Sequence, residues 1–256
     1  MRWLLALSFL FAASAASADV PVVLTPAPVA PAPTAPGIWN PAAHYVTVGQ
    51  DEPGYRAWYS GAAWRATYVK SFHDYLAAAG VSGIVPTWQL LRTASSWRRC
   101  GAQPFEVPPT TAWPHIVQTL RYLRDYVVPT VGPVEPVSAY RNPVLNTCAG
   151  GAADSAHRHF LAVDLVPLRP IAREAMMADL CAVHAQRGDA YQVGLGFYSF
   201  MRFHIDSMKY RRWGADGSPE ASPCAPRIQA PAPAAATVAA TNATAAPPAN
   251  PPAQSN

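Results

Sequence analysis

The stretch FLAVDLVP, residues 160–167, is an apolar run of strand length with one acid inside it. At the two-residue period of a strand, Leu161, Val163 and Leu165 share one face, while Ala162, Asp164 and Val166 share the other. A carboxylate among such neighbours is paired, metal-bound or turned to water, because a buried charge without a partner is too costly. The form recurs in RFHIDS, residues 202–207, where Phe203 and Ile205 lie on one face and His204 and Asp206 on the opposite one. Two strands therefore each offer metal-type ligands flanked by apolar residues. His157, seven residues before Asp164, adds a second imidazole. Two imidazoles and one carboxylate form the ligand set of a catalytic zinc that keeps one position open.

Outward from this pair, VGLGFYSFMRFHIDSM (193–208) reads as two strands turning near Phe200 and Met201. VEPVSAYRNP (134–143) reads as a short β-type run ending in a polar turn. Three stretches carry helical spacing. In AAWRATYVKSFHDYLAAAGV (62–81), Trp64, Tyr68, Val69, Phe72, Tyr75 and Leu76 form one stripe, with Gly80 as terminator. In TTAWPHIVQTLRYLRDYVVP (110–129), Trp113, Ile116, Leu120, Leu123 and Val127 repeat the pattern, with Pro114 in the tolerated first turn and Pro129 as the stop. RPIAREAMMADLCAVHAQRG (169–188) is a third helix, capped by Gly188. His73 reads as a solvated or packing residue, because no partner lies at i+4 or i−4, and His115 as scaffold. The order helix, helix, strand, strand, helix, hairpin predicts an α+β domain, an antiparallel sheet with helices packed on one face.

The ends have a different texture. Residues 1–18 read as a secretory signal peptide: Arg2 at the positive start, an apolar stretch from Trp3 to Ala13, and a cleavage site at Ala16-Ser17-Ala18. That apolar run is shorter than the about 20 residues a membrane span needs, so no stable span is expected once it is removed. Residues 19–41 form a Pro/Ala-rich linker and 226–256 an Ala/Pro-rich tail that cannot bury enough surface to fold. The folded domain is expected over residues 42–225. Cys100, Cys148, Cys181 and Cys224 suit two disulfides in an exported chain, with three pairings open. A four-cysteine zinc site is disfavoured by the absence of any C-x-x-C pair. A net charge of +4 permits an anionic partner such as a cell-wall polymer, but no basic run with interleaved aromatics points to nucleic acid.

SAYRNP with Asn146, GGAADSAHRHFLAVDL (150–165), GLGFYSFMRFHID (194–206) and YRRW (210–213) resemble peptidase family M15. These are zinc D-alanyl-D-alanine carboxypeptidases and related peptidoglycan peptidases that share a fold with the hedgehog signalling domain. The most specific element is Ser-x-His, then Asp seven residues after the His, then a distant His on a strand. The resemblance implies Zn2+ held by His157, Asp164 and His204, with Arg141 gripping the substrate near the reacting peptide and stabilising the oxyanion. Ser155 would line the substrate pocket, while Tyr140 and Asn146 fit the signature equally as turn or packing residues.

Two departures stand out. Where several members carry Glu or Asp three residues before the third ligand, or His two before it, this chain has Met201 and Arg202. Asp206 then becomes the first candidate for the base, or for a carboxylate that orients His204; His159 and His184 are further candidates for the base. Where many members have Gly three residues after the first ligand, this chain has Phe160. The resemblance implies a periplasmic or secreted zinc metallopeptidase acting on peptidoglycan peptide, carboxypeptidase-like. The alternatives are a cross-link endopeptidase and a non-catalytic zinc-containing module that binds cell wall or protein.

Overall fold

The acid-bearing run becomes an inner strand of a five-stranded sheet. The computed structural model describes residues 38–224. The expected signal peptide, nearly all of the linker and the tail lie outside the described residues.

In chain order the elements are α1 (Glu52–Ser60), α2 (Ala63–Ala78), α3 (Trp113–Tyr122), α4 (Val128–Val131), β1 (Val134–Ser138), α5 (Pro143–Cys148), β2 (Ala162–Pro167), α6 (Arg173–Val183), β3 (Gly194–Phe197), β4 (Phe203–Asp206) and β5 (Arg211–Trp213). The strands lie in the order β1-β2-β4-β3-β5. All neighbours are antiparallel except β3 and β5, which run parallel. The departure from a purely antiparallel sheet arises because the link 207–210 carries the chain past β3 to the far edge rather than into a hairpin with β4.

Register places Val163 opposite Ile205 and Leu165 opposite Phe203, with Leu195 and Phe197 beyond them on β3. This apolar face shares one buried core with Phe72 and Leu76 of α2, Ile116 and Leu120 of α3, and Met176 and Leu180 of α6. Each such side chain, fully buried, contributes roughly 1.5–3 kcal/mol. Val137 and Val166 are buried elsewhere, under Ala42 of the N-terminal segment. That segment engages the sheet from Trp39, whose indole donates to the Pro167 carbonyl at 3.2 Å. No helix among the described residues is long and apolar enough to cross a membrane.

The helices depart from their sequence expectation in informative places. Asp51 caps α1, its carboxylate accepting from the Gly54 amide at 2.9 Å, with Pro53 in the first turn. This start signal marks a helix that apolar spacing alone did not reveal. On α2 the buried stripe is narrower than expected: Val69, Phe72 and Leu76 are buried, but Trp64 and Tyr68 are 55% and 48% exposed. Gly80, at φ 69°, does end that helix.

Pro129 does not end the next one. A wide π-helical turn at Leu123–Val127 leaves it in the first turn of α4, where no amide hydrogen is needed, and the chain leaves the helix at Gly132, φ 82°. Gly188 is likewise no terminator. Its backbone is helical, and the helical path continues to Gln192 at φ 53°. A side chain at Gly188 would collide with the His184 ring, so this glycine serves close approach.

Phe160 holds a left-handed backbone, φ 56°, that favours glycine. Its ring is fully buried, 5.7 Å from Phe72 and 6.2 Å from Tyr140 between centroids. Core packing here outweighs a conformational cost of about 1–2 kcal/mol. Replacing Phe160 by Ala removes the ring and keeps the cost, so denaturant unfolding should show a loss of about 3–5 kcal/mol. Phe160→Gly should be less damaging than Phe160→Ala by about 1 kcal/mol, because the strain is relieved. Equal stability of the two variants would show that the turn carries no strain.

Candidate metal centre

The register that buries the apolar face also assembles a polar row on the other. Asp164 on β2 pairs with Ser138 on β1 and His204 on β4, and His204 pairs onward with Gly196 on β3. The two glycines of β3 make room for this row. A side chain at Gly194 would strike the Asp206 carboxylate, and one at Gly196 would strike the Trp213 ring. Without them, Trp213 could not lie 5.0 Å from the His204 ring.

Asp164 is buried, and its compensation is local. Oδ2 accepts from Arg141 Nη2 at 2.6 Å. Oδ1 lies 2.9 Å from His204 Nδ1 and 3.3 Å from His157 Nε2. His157 sits on a short 3-10 turn, Ala156–His159. Its Nδ1 donates to the Ala139 carbonyl at 2.6 Å. A carbonyl can only accept, so the Nε2 lone pair is left free, buried and without a hydrogen-bond partner. His204 Nε2 is 2.9 Å from Asp206 Oδ2, and Asp206 is itself held by Arg211 at 2.8 Å and the Met208 amide at 2.8 Å.

These residues fit a metal ion. One ligand atom from each of His157, Asp164 and His204 lies within 4.8 Å of the other two. A tetrahedral ion with bonds near 2.0–2.2 Å keeps its ligand atoms about 3.4 Å apart. The observed 2.9 Å and 3.3 Å separations therefore need only slight opening. The orphaned His157 Nε2 is the atom such an ion would satisfy.

Protonation differs between the two imidazoles. Burial, then the Arg141 charge, push the His157 pKa down from 6.5 to about 4, which keeps it in the neutral form that ligates metals. For Asp164 burial alone would raise the pKa, but the Arg141 charge and the hydrogen bond from His204 outweigh it and hold the carboxyl well below 3.8. Burial alone would lower His204, yet its bonds to Asp164 and Asp206 raise it above 6.5. The carboxylates thus hold a proton on His204 that a metal would displace.

This site lies in a cleft of about 1020 Å³. Arg141, Ser155, His157, Asp164 and His204 all line it, so the expected substrate and metal residues come together. Asp206 is not among the lining residues; it stands behind His204. His159 is exposed and outside the cleft, its carbonyl accepting from His115 at 2.8 Å. His184 is buried elsewhere, stacked 4.6 Å from Tyr210. Asn146 donates to the Ala152 carbonyl at 2.9 Å and so shapes the loop ahead of Ser155, while Tyr140 packs in the core.

Sequence reasoning missed Tyr198, Arg202 and Trp213 as lining residues of the site. The glycine alternation in GLGF was the available signal for Trp213. Two walls of the cleft lack regular structure and are held by disulfides. Cys100–Cys148 joins the segment carrying Ser95, Ser96 and Arg99 to the end of α5, and Cys181–Cys224 ties the segment carrying Ala215 and Asp216 to α6. With loops of 48 and 43 residues, each bridge contributes about 4 kcal/mol in the chain-entropy account.

No protein-family model, curated protein or solved structure matches this chain.

Two outcomes are expected. His157→Ala, Asp164→Ala and His204→Ala should each abolish stoichiometric metal binding, measured by elemental analysis after dialysis, whereas His159→Ala should retain it. Retention by His157→Ala with loss by His159→Ala would reverse the assignment. In chelator, the stability contributed by His157 is present above pH 6.5 and lost as pH falls toward 4, because the unfolded chain takes the proton first. The His204 contribution is full below 6.5 and lost as pH rises through its raised pKa. Thermal melts of the metal-free protein should therefore peak near pH 6.5, and added metal should raise the melting temperature most on the alkaline side.

Proposed function

We propose that this protein is an exported zinc metallopeptidase that hydrolyses a peptide bond in peptidoglycan stem peptides, in the manner of a D-alanyl-D-alanine carboxypeptidase. The observation that carries the reading is the buried, unpartnered His157 Nε2, converging with Asp164 and His204 in a cleft also lined by Arg141. Export is supported by the two disulfides, which persist in oxidising compartments, and by the character of residues 1–18. A bound zinc supplies a Lewis acid for the scissile carbonyl and makes water nucleophilic near neutral pH.

The chain's own residues would do the rest. Arg141 is anchored by its 2.6 Å bond to Asp164 and by Nε donating to Ser138 Oγ at 3.0 Å. Its planar guanidinium can hold the substrate carbonyl oxygen as charge develops there. Ser155 brings a hydroxyl to the same cleft for the substrate backbone. Asp206 supports a positioning role: it fixes His204 through Nε2 and leaves Nδ1 for the metal. The Trp213 ring shields one side of His204 from water.

The withdrawal of Asp206 from the cleft wall also favours a second reading, a zinc-containing module that binds cell-wall peptide without cutting it. Incubating the purified chain with defined muropeptides, with and without chelator, separates the two by mass spectrometry. Chelator-sensitive loss of a single terminal D-alanine is the expected result. Split cross-links would indicate an endopeptidase, and stoichiometric zinc with intact muropeptides would replace the catalytic reading by the binding one. Asp206→Ala should weaken zinc affinity about 10–100-fold, with turnover retained at saturating zinc. Turnover lost at full zinc occupancy would instead make Asp206 the base.

A further inference from the structure

Arg202 occupies a cleft position that the ligand set does not explain. It follows the sharp turn at Phe200, φ 55°, and its guanidinium lies 4.1 Å from the Tyr198 ring centre and 5.0 Å from that of Tyr45. This sandwich is built from separate parts of the chain. The Tyr45 hydroxyl donates to the Ser199 carbonyl at 2.5 Å, the His44 ring stacks on Phe200 at 4.8 Å, and Arg173 donates to the Tyr198 carbonyl at 2.7 Å. A flexible side chain is thereby held in one place, with its planar face covered and its edge toward the cleft.

Neutralising Asp164 does not account for it. Asp164 Oδ2 already accepts from Arg141 at 2.6 Å, whereas Arg202 Nη1 stops 3.9 Å away, beyond hydrogen-bond distance. Arg202 Nε is buried without any partner. Two guanidiniums thus face one carboxylate, and a divalent cation would add to the excess. On the same cleft Arg99, Lys209, Arg211 and Arg212 outnumber the acids Asp154 and Asp216, so the potential stays positive. A guanidinium fixed in such a field, with donors open to the cleft and no carboxylate within hydrogen-bond distance, calls for an anion from outside the chain.

We infer that Arg202 receives a free carboxylate of the substrate, which makes the cleft selective for peptides cut next to their C-terminus. Position limits the register: Arg141 and Arg202 approach the same oxygen of Asp164, so their donors lie less than two residues apart along a bound peptide. With the scissile carbonyl at Arg141, the group at Arg202 is the α-carboxylate of the leaving residue. This assignment rests on the peptidase reading and narrows it to a carboxypeptidase.

The test uses the zinc-loaded full chain and a peptide ending in D-alanyl-D-alanine, as the free acid and as the C-terminal amide. The wild type should favour the acid in kcat/KM. Arg202→Gln should shrink the acid-to-amide ratio roughly ten- to hundred-fold, as expected for one charge-assisted hydrogen bond, mainly through KM, and Arg202→Lys should recover part of it. Unchanged zinc content and melting temperature show that the variants remain folded. Equal cleavage of acid and amide by the wild type, or a ratio unmoved in Arg202→Gln, overturns the inference. If neither peptide is cut, calorimetric binding of the same pair decides. Tighter binding of the acid that Arg202→Gln abolishes sustains the carboxylate site while the peptidase reading fails, and equal binding overturns the site itself.

Discussion

A carboxylate buried in the middle of a sheet is the constraint from which the rest follows. Asp164 cannot stay charged there without partners, and the chain supplies Arg141 from one side and two imidazoles from the other. Each partner is then fixed by a contact of its own: His157 by the Ala139 carbonyl, His204 by Asp206, and Arg141 by Ser138. The arrangement leaves one buried nitrogen unsatisfied, which distinguishes it from a closed structural ion-pair network.

The sheet divides its labour by face. On β2, β4 and β3 one face is apolar and joins the helices in a single core, which sets the strand register firmly. The other can therefore carry charges in a row, because a slip of one residue would expose the core as well as scatter the ligands. Glycines at 194 and 196 extend the same logic, since space for Asp206 and Trp213 is provided by omission of side chains. Rigidity of the strands is matched on the irregular walls by the two disulfides, so the cleft is framed by groups that move little.

Several readings changed for reasons that local sequence does not contain. Pro129 and Gly188 are strong punctuation, yet wide helical turns carry the chain through both. Trp64 and Tyr68 fit the helical spacing of α2 but fall where no other element covers them. Phe160 stands at a backbone position suited to glycine because a buried ring there repays its strain. At Phe160 core packing overrode a conformational preference worth about 1–2 kcal/mol.

By itself the sequence determined what depends on short-range periodicity: the strands β1 to β4, though not the short β5 at Arg211–Trp213, that Asp164 shares a face with neither Val163 nor Leu165, and that His204 and Asp206 point the same way. Those follow from the two-residue period of an extended chain, whatever surrounds it. The resemblance, through its Ser-x-His and the Asp seven residues on, also implied His157, Asp164 and His204 as one set. Only the tertiary structure decided which cysteines join, which nitrogen of His157 is free, that Asp206 sits behind His204 rather than in the cleft, and that Arg202 lies between Tyr45 and Tyr198. The disulfides, the His157–Ala139 bond and the Tyr45–Arg202 contact join segments apart in the chain, while Asp206 is held by Met208 and Arg211 just downstream of it; spacing carries no information about such contacts until the fold closes them.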